Sequence, residues 1–575
     1  MTILIKTVRV YGLRGLSNIE VNLEPVTVLT GMNNTGKTSF LKAIQIAFGN
    51  RNFLSEDDFH ISKDVAVDEI IVDINIIAVD DTGKQLDLFS ESWETVFTEK
   101  RIVIDTTGKA TVPIRTIVNY DPFNGNFKAK QFVLKEWSTF EKESGEHWYQ
   151  TDNGTKNIFN LDELFFVYTD AQRDLLEDLK VKNSSLGKML SKITYNPSDV
   201  KKIEAAIDEL NKTAVSASDV LSNIATTLKG LDSAMDNSST GVEISPFAKK
   251  IRDLNKGVSI QYSNFSMEYH GMGTRSWSSL LTLKSFVELL KRNAIKEDKS
   301  FFPIITIEEP ETHLHPNAQK KIYSQMASMP GQKIISTHSP YIAASAELNQ
   351  IRSLCKNGDV VVSGNIDTSN LSSEDIRKIN RQVINTRGEI FFAKAVVLFE
   401  GETEEQALSI FASKYFDTNL LELGINFVGV GGKTNYLPFI RLLTSLNIHW
   451  FIFSDCDRDT HQAVKNQLQK IQITSYENIV FQDYGNDFEK QIIADGYQDE
   501  IKLAILNCVL PENAEKRHID AKKSEVAQYT DEFLYATMTG SKTEYGVLVP
   551  ESIINSGKEL PPLVTKLFSK VKTVL

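Results

Sequence analysis

The stretch Gly31-Met-Asn-Asn-Thr-Gly36-Lys37-Thr38 constrains this chain more than any other. Its glycines let the main chain bend until successive amides point at phosphate, its lysine reaches the β and γ groups, and its threonine hydroxyl is a ligand for Mg²⁺. The flanks fit: Val26 to Thr30 is a short apolar run, and Phe40, Leu41, Ile44, Ala47 and Phe48 recur at helical spacing before Gly49. Strand, loop, amphipathic helix and terminal glycine is the order that builds a phosphate loop, and the helix N-terminus adds a positive end. Asn33, Asn34, Thr35, Gly36, Lys37, Thr38 and Ser39 are the expected contacts to ATP, with Thr38 also on its Mg²⁺.

Hydrolysis needs a carboxylate on the metal and a group that orients water. Phe301 to Ile307 reads as a buried strand that runs into Glu308-Glu309-Pro310. Glu308 is expected to hold Mg²⁺ through water and Glu309 to polarise the nucleophile. The next strand, Lys333 to Thr337, ends in Ser336-Thr-His338-Ser-Pro, which puts His338 where it can sense the γ-phosphate. Short apolar runs separated by helical stretches indicate an α/β sheet buried on both faces.

A chain of 575 residues exceeds one hydrophobic core, so several domains are expected. Between the phosphate loop and Glu308, Glu69 to Ala78 and Arg101 to Ile104 read as strands in a region rich in Val, Ile, Thr and Phe. From about 170 to 255 the composition shifts to Leu, Lys, Asp, Ser and Ala, a helical insertion with Ser233 to Ser239 as a loop. Gly358 to Arg387, of mixed polarity, reads as a linker or small subdomain before a second α/β series at Ala395 to Phe399, Ile425 to Val430 and Trp450 to Ser454. No apolar run is long enough for a signal peptide or membrane span, and three scattered cysteines exclude a disulfide framework, so a reducing cytoplasm is expected. The net charge of -12 is a poor guide to a polyanionic partner. Carboxylates gathered at metal sites enter that sum while their cations do not.

The second series carries acids of its own. Val396-Val-Leu-Phe-Glu400-Gly-Glu-Thr-Glu404 is a strand ending in a glutamate, a glycine turn and another glutamate; Phe451-Ile-Phe-Ser-Asp455-Cys-Asp457 repeats the design with Asp-x-Asp. Carboxylates converging at the carboxyl edge of an α/β sheet can hold hard divalent cations. An EF-hand is disfavoured, because Thr460 and Asn466 stand where its glycine and glutamate belong.

Together the phosphate loop, Glu308-Glu309 and His338 resemble the ABC ATPases of the RecF, SMC and OLD (overcoming lysogenisation defect) group, as do Arg14 in Leu13-Arg-Gly-Leu and the segment Glu309-Pro-Glu-Thr-His-Leu-His315-Pro. The resemblance makes Arg14 an ATP contact. It also asks for a signature motif supplied by a second subunit, for which Gly271-Met-Gly273-Thr-Arg-Ser276 is the candidate, with Gly273 and Ser276 at the nucleotide, although it departs from Leu-Ser-Gly-Gly. The later acids are similar to the Toprim domain of topoisomerases, primases and OLD-family nucleases. That similarity makes Glu400, Glu404, Asp455 and Asp457 metal ligands, adds Asp487 and Glu489, and assigns Lys542 to transition-state stabilisation, with Lys490 or Lys558 as substitutes.

The expected fold is α/β: an ABC/RecF-type P-loop ATPase domain with a helical insertion, followed by a C-terminal Toprim α/β domain. Its parts are 1–169, the insertion 170–255 as a candidate dimerisation element, 256–390 and the Toprim domain 391–575. OLD membership implies an ATP-hydrolysing, metal-dependent endonuclease acting on double-stranded DNA in anti-phage defence, with Mg²⁺ at the ATP site and Mg²⁺, Mn²⁺ or Ca²⁺ at the Toprim site. A homodimer or higher homo-oligomer is implied, with room for a helicase or a retron reverse transcriptase and its msDNA as partner. The alternatives are a non-cleaving RecF-like clamp and a Toprim topoisomerase or primase.

Overall fold

The computed structural model describes the chain apart from residues 1, 50–53, 63–64, 122, 124–125, 141–146, 158–162, 172–195, 220–221, 223–260, 263–264, 267–270, 359, 367, 369–370, 381–387, 419, 457, 474 and 511–515. It divides into two compact units, one of Met1–Tyr168, Ile304–Glu311 and Gly331–Leu575, the other of Thr169–Pro303 and Thr312–Pro330.

Among the described residues, the first unit holds three sheets of four or more strands and a two-stranded ribbon, Ile61–Ser62 with Val65–Ala66. One is antiparallel, with Thr155–Asn157, Asn126–Val133, Ala110–Asp121, Glu69–Val79, Thr2–Leu13 and Leu16–Asn22 in spatial order. Its central strands are apolar and β-branched along nearly their whole length, as strands covered on both faces must be. Arg115 and Asp73 are the exception: both are fully buried, and the guanidinium forks onto the carboxylate at 2.9 and 2.8 Å. Only bidentate pairing makes such charges tolerable there. The strand expected at Arg101 to Ile104 shrinks to Val103–Ile104, an edge addition beside Ala110–Asp121.

The second sheet carries the phosphate loop. Its order is Leu164–Thr169, Phe302–Glu308, Gln332–Ser336, Val26–Thr30, Ile351–Asn357, Val360–Asn365. The strands from Phe302–Glu308 to Ile351–Asn357 are parallel, and Val360–Asn365 returns antiparallel. That last strand falls in the segment read from sequence as a linker, whose described part also contains the helix Ser373–Ile379. Mixed polarity there reflects an edge strand.

The third sheet is fully parallel, in the order Ile425–Gly429, Ala395–Phe399, His449–Ser454, Ile479–Phe481. Helices Glu402–Phe416, Gln498–Val509, Lys542–Ser556 and Pro562–Lys572 bury one side of it, around Phe399, Phe411, Ile501, Ile553 and Phe568.

In the second unit, Pro197–Ser216 is helical, within the region where a helical insertion is expected; Ser233 to Ser239 lies outside the described residues. Helix Met272–Lys296 packs on helix Pro316–Ala327 through Trp277 on Gln325 and Lys284 on Ser328. Among the described residues no helix is long and apolar enough to cross a membrane.

Gln332 ties the first two sheets together. Its amide accepts from the Ile5 N–H at 3.0 Å and donates to the Ile5 carbonyl at 2.9 Å, beside the register shift between Ile5 and Thr7. Gln332→Leu keeps the volume but orphans both buried main-chain groups, so the loss of stability should be on the order of 2–5 kcal/mol. Urea unfolding of the two proteins measures it; equal midpoints would show that water replaces the amide.

Candidate functional site

The strand Val26–Thr30 is buried at every residue and delivers its chain to Gly31, whose φ of 136° only glycine adopts freely. The loop turns through Asn34 at φ 62° and Gly36 at φ 88°, and helix Lys37–Ala47 begins. Lys37 is buried, and its ammonium donates to the carbonyls of Gly31 and Met32 at 2.7 Å each. Burial brings its pKa down to about 8, against the pull of Glu309, Glu311 and Cys355. Asn33 and Asn34 are exposed, whereas Thr35 and Ser39 are buried, with the Thr35 hydroxyl on the Met32 carbonyl.

Parallel pairing sets Glu308 opposite Ser336, and Ser336 opposite Leu29, so the acidic strand end and the switch strand end beside the loop. Glu308 accepts from the Thr38 hydroxyl on one oxygen and from the Tyr168 hydroxyl on the other. Glu309 stands at φ 40° with its carboxylate 3.6 Å from Nε2 of His338. Burial, aided by the Lys37 charge, brings His338 down to about 4, so this contact joins a neutral imidazole to a carboxylate. Glu311 accepts the His338 main-chain N–H, and its own burial raises its pKa. Arg14, at φ 50°, is held by Asp58 and Gly15 follows it; Asp58 lies below the usual carboxylate range through Ser55 and Arg14, against its burial. Gly273 and Ser276 lie in the first turns of Met272–Lys296, in the other unit. A Cβ on Gly273 would sit 2.4 Å from the His313 carbonyl oxygen, a structural reason for glycine there.

In the third sheet, Ala395–Phe399 ends at Glu400 and His449–Ser454 at Asp455, on neighbouring strands. Glu400 accepts from Ser454 at 2.8 Å and Tyr436 at 3.3 Å. Glu404 is buried in the first turn of Glu402–Phe416, its pKa raised to about 7 by burial and by Glu489 and Glu400. Asp455 is raised to about 8 by burial, then Glu404, Glu400, Asp487 and Glu489. Glu489, also buried, accepts from Thr403 at 2.7 Å, and Lys542 approaches it at 3.4 Å. Asp487 caps helix Phe488–Ala494 and accepts from Tyr535 at 2.7 Å. Lys490 stacks over the Tyr535 ring, while Lys558 pairs with Glu500. Asp457 lies outside the described residues.

Five of the six expected acids thus gather about Asp455, with Lys542 close to Glu489, Glu404 and Asp487, and Oδ1 of Asp455 is buried with no hydrogen-bond partner. A buried, unpartnered carboxylate oxygen among like charges fits a cation. Among the described residues no three side chains close a metal cage as they stand. Sequence reading passed over Tyr168, Asp58, Thr403, Tyr436, Ser454 and Tyr535, since nothing in one chain marks which hydroxyl reaches a distant carboxylate. Glu311 was visible in its motif without a partner.

The low pKa of His338 predicts an uncharged ring throughout pH 5.5–9, the region about and above the ordinary histidine value near 6.5. The kcat/KM profile for ATP, which reports the free enzyme, should show no step near 6.5, and His338→Gln should lower it in parallel. A wild-type step near 6.5 that vanishes in His338→Gln would contradict this.

The model of the AAA ATPase domain family matches residues 4–343, more than half of the chain, and that of the overcoming lysogenization defect protein-like TOPRIM domain matches 391–457. Asp487, Glu489 and Lys542 lie beyond that second match. The chain is 24% identical over 491 residues to the Old nuclease of Escherichia phage P2, covering 80% of this chain and 78% of that protein. It is 21% identical over 597 residues to the endonuclease GajA of Bacillus cereus HuB5-5, covering 86% and 84%. Among solved structures, the C-terminal region of the Burkholderia pseudomallei OLD protein is 17% identical, covering 32% of this chain and 100% of that one at a TM-score of 0.25. The chain belongs to the AAA ATPase domain family and carries an OLD-like Toprim domain behind its ATPase domain.

Proposed function

We propose that this protein hydrolyses ATP and cleaves double-stranded DNA with divalent metal, in bacterial defence against phages. The observation that carries the reading is the orphaned Asp455 Oδ1 among Glu400, Glu404, Asp487 and Glu489, in the same chain as a complete phosphate loop. The names of the phage P2 Old nuclease and of GajA support it.

In this reading Asn33 to Ser39 and Arg14 hold ATP, Thr38 and Glu308 hold its Mg²⁺, Glu309 orients water and His338 senses the γ-phosphate. Gly273 and Ser276 would close over the nucleotide of a second subunit, which makes the active form at least a homodimer. Glu400, Glu404, Asp455, Asp457, Asp487 and Glu489 would hold Mg²⁺ or Mn²⁺. Such cations lower the pKa of bound water and neutralise a leaving oxygen. The chain's own share is to hold the acids in place through Ser454, Tyr436, Thr403 and Tyr535, and to present Lys542 to negative charge on the phosphate. Bound ATP restrains cleavage, because an unrestrained endonuclease endangers its own cell.

A non-cleaving clamp is the second reading, favoured by the lack of a closed three-ligand cage among the described residues. Plasmid nicking decides. Glu400→Ala and Asp455→Ala should abolish Mg²⁺- or Mn²⁺-dependent cleavage while ATPase activity survives, since each removes a ligand of one site only. Glu309→Gln and Lys37→Ala should stop ATP turnover and spare the nuclease acids. Nicking that persists in both acid variants would remove the nuclease assignment from this domain. Light scattering should report a species of at least two chains; a lone 65 kDa particle with and without ATP, about the 64.6 kDa of one chain, would exclude shared ATP sites.

A further inference from the structure

We infer that Phe392 is a positioning residue joining the ATP switch to the Toprim acids, so that the state of His338 sets the cation affinity at Glu400. This deepens the function proposed above and rests on it. The His338 and Phe392 rings face each other with centroids 6.4 Å apart, tilted by 28°. Just after His338, Ser339 caps the short helix Pro340–Ala343 by accepting the N–H groups of Tyr341 and Ile342. That helix packs on the 3-10 turn Gly388–Phe392 so tightly that a Cβ on Gly388 would stand 2.5 Å from the Pro340 carbonyl oxygen. Ile390 and Phe391 anchor the turn in the core. From Phe392 the chain passes through Lys394, whose N–H donates to the Gly424 carbonyl, into the wholly buried strand Ala395–Phe399 and ends at Glu400.

The neighbouring strand is fixed differently. Ser353, on the strand beside the phosphate loop, donates to the Leu446 carbonyl at 2.7 Å, just before His449–Ser454 and Asp455. One tie therefore holds the Asp455 strand to the ATPase sheet, and the other couples the Glu400 strand to the switch. Displacement at His338 is delivered to Glu400 relative to Asp455, and their separation decides how well they share a cation. Phe392 also has room to move, because it lines a cavity of about 320 Å³ between Gly31, Leu354, Lys394 and Ile448. Close-packed elements with one such degree of freedom switch between arrangements instead of deforming evenly.

The test is Mn²⁺ binding by calorimetry to the full-length protein at one fixed Mg²⁺ concentration, with and without a saturating amount of the non-hydrolysable analogue AMP-PNP; Glu400→Ala identifies the Toprim-bound Mn²⁺. In the wild type the analogue should change that Mn²⁺ Kd by about tenfold, a usual size for coupling between sites. Phe392→Ala should keep the nucleotide-free Kd, lose the response to within about twofold, and lower the kcat for ATP with little change in KM. Phe392→Tyr, which retains the ring, should restore both. A Phe392→Ala protein that responds like the wild type, or a wild type without response, overturns the inference. Plasmid nicking measured in parallel separates the two claims: a nucleotide response in Mn²⁺ affinity without nicking sinks the nuclease reading alone, and nicking by a Phe392→Ala protein that keeps its nucleotide response sinks the coupling alone.

Discussion

An added Cβ on Gly31 would lie 2.2 Å from the carbonyl oxygen of Leu354, and the geometry of the ATP site follows from that close approach. The phosphate-loop strand is buried between two parallel neighbours, so the loop leaving it has one direction open, and only a glycine clears the next strand. Gly36, at φ 88° with a Cβ position 2.5 Å from the Leu16 side chain, closes the bend from the other side. Between these two points the chain is confined tightly enough for Lys37 to bond its own loop carbonyls and for Thr38 to meet Glu308, on a strand far away in sequence.

The two acidic sites spend charge in opposite ways. At the phosphate loop a buried ammonium sits among Glu309 and Glu311, and the switch histidine is kept neutral, so the local charge is partly balanced within the chain. At the third sheet Lys542 faces several carboxylates, and the imbalance appears as Glu404 near 7 and Asp455 near 8. Without a cation, such a cluster lowers its free energy by holding protons near neutral pH. The hydroxyls of Ser454, Thr403, Tyr436 and Tyr535 supply hydrogen bonds that keep individual acids oriented in either condition. They add no charge, and cation attraction is left undiminished.

Both sites use one architectural device, a carboxylate just past the carboxyl end of a parallel strand. In a parallel sheet all such ends lie on one edge, so residues from separate segments converge without any long loop. Glu309 and His338 meet this way at one sheet, and Glu400 and Asp455 lie on neighbouring strand ends of another. The ATPase and Toprim sheets are in turn joined by contacts as specific as Ser353 on Leu446 and Pro340 on Gly388.

The amino-acid sequence by itself determined the parts whose signal is local. The phosphate loop, the strands that end in Glu308, Glu400 and Asp455, and the helix after Lys37 all lie where pattern and spacing put them, with ends shifted by about one residue. A strand buried on both faces writes itself as an apolar run, and a phosphate loop needs its glycines wherever it occurs. Only tertiary structure decided the rest. The edge strand Val360–Asn365 buries only Val361 and Gly364 and shows no alternation with a period of two, so periodicity hid it. Tyr168, Asp58, Tyr535 and Phe392 act through partners far along the chain, and their roles depend on which strands lie side by side. Burial is the largest cause that moves Lys37, His338 and Asp455 from their ordinary pKa values, and neighbouring charges act beside it; desolvation belongs to the packed fold and leaves no mark in a row of residues.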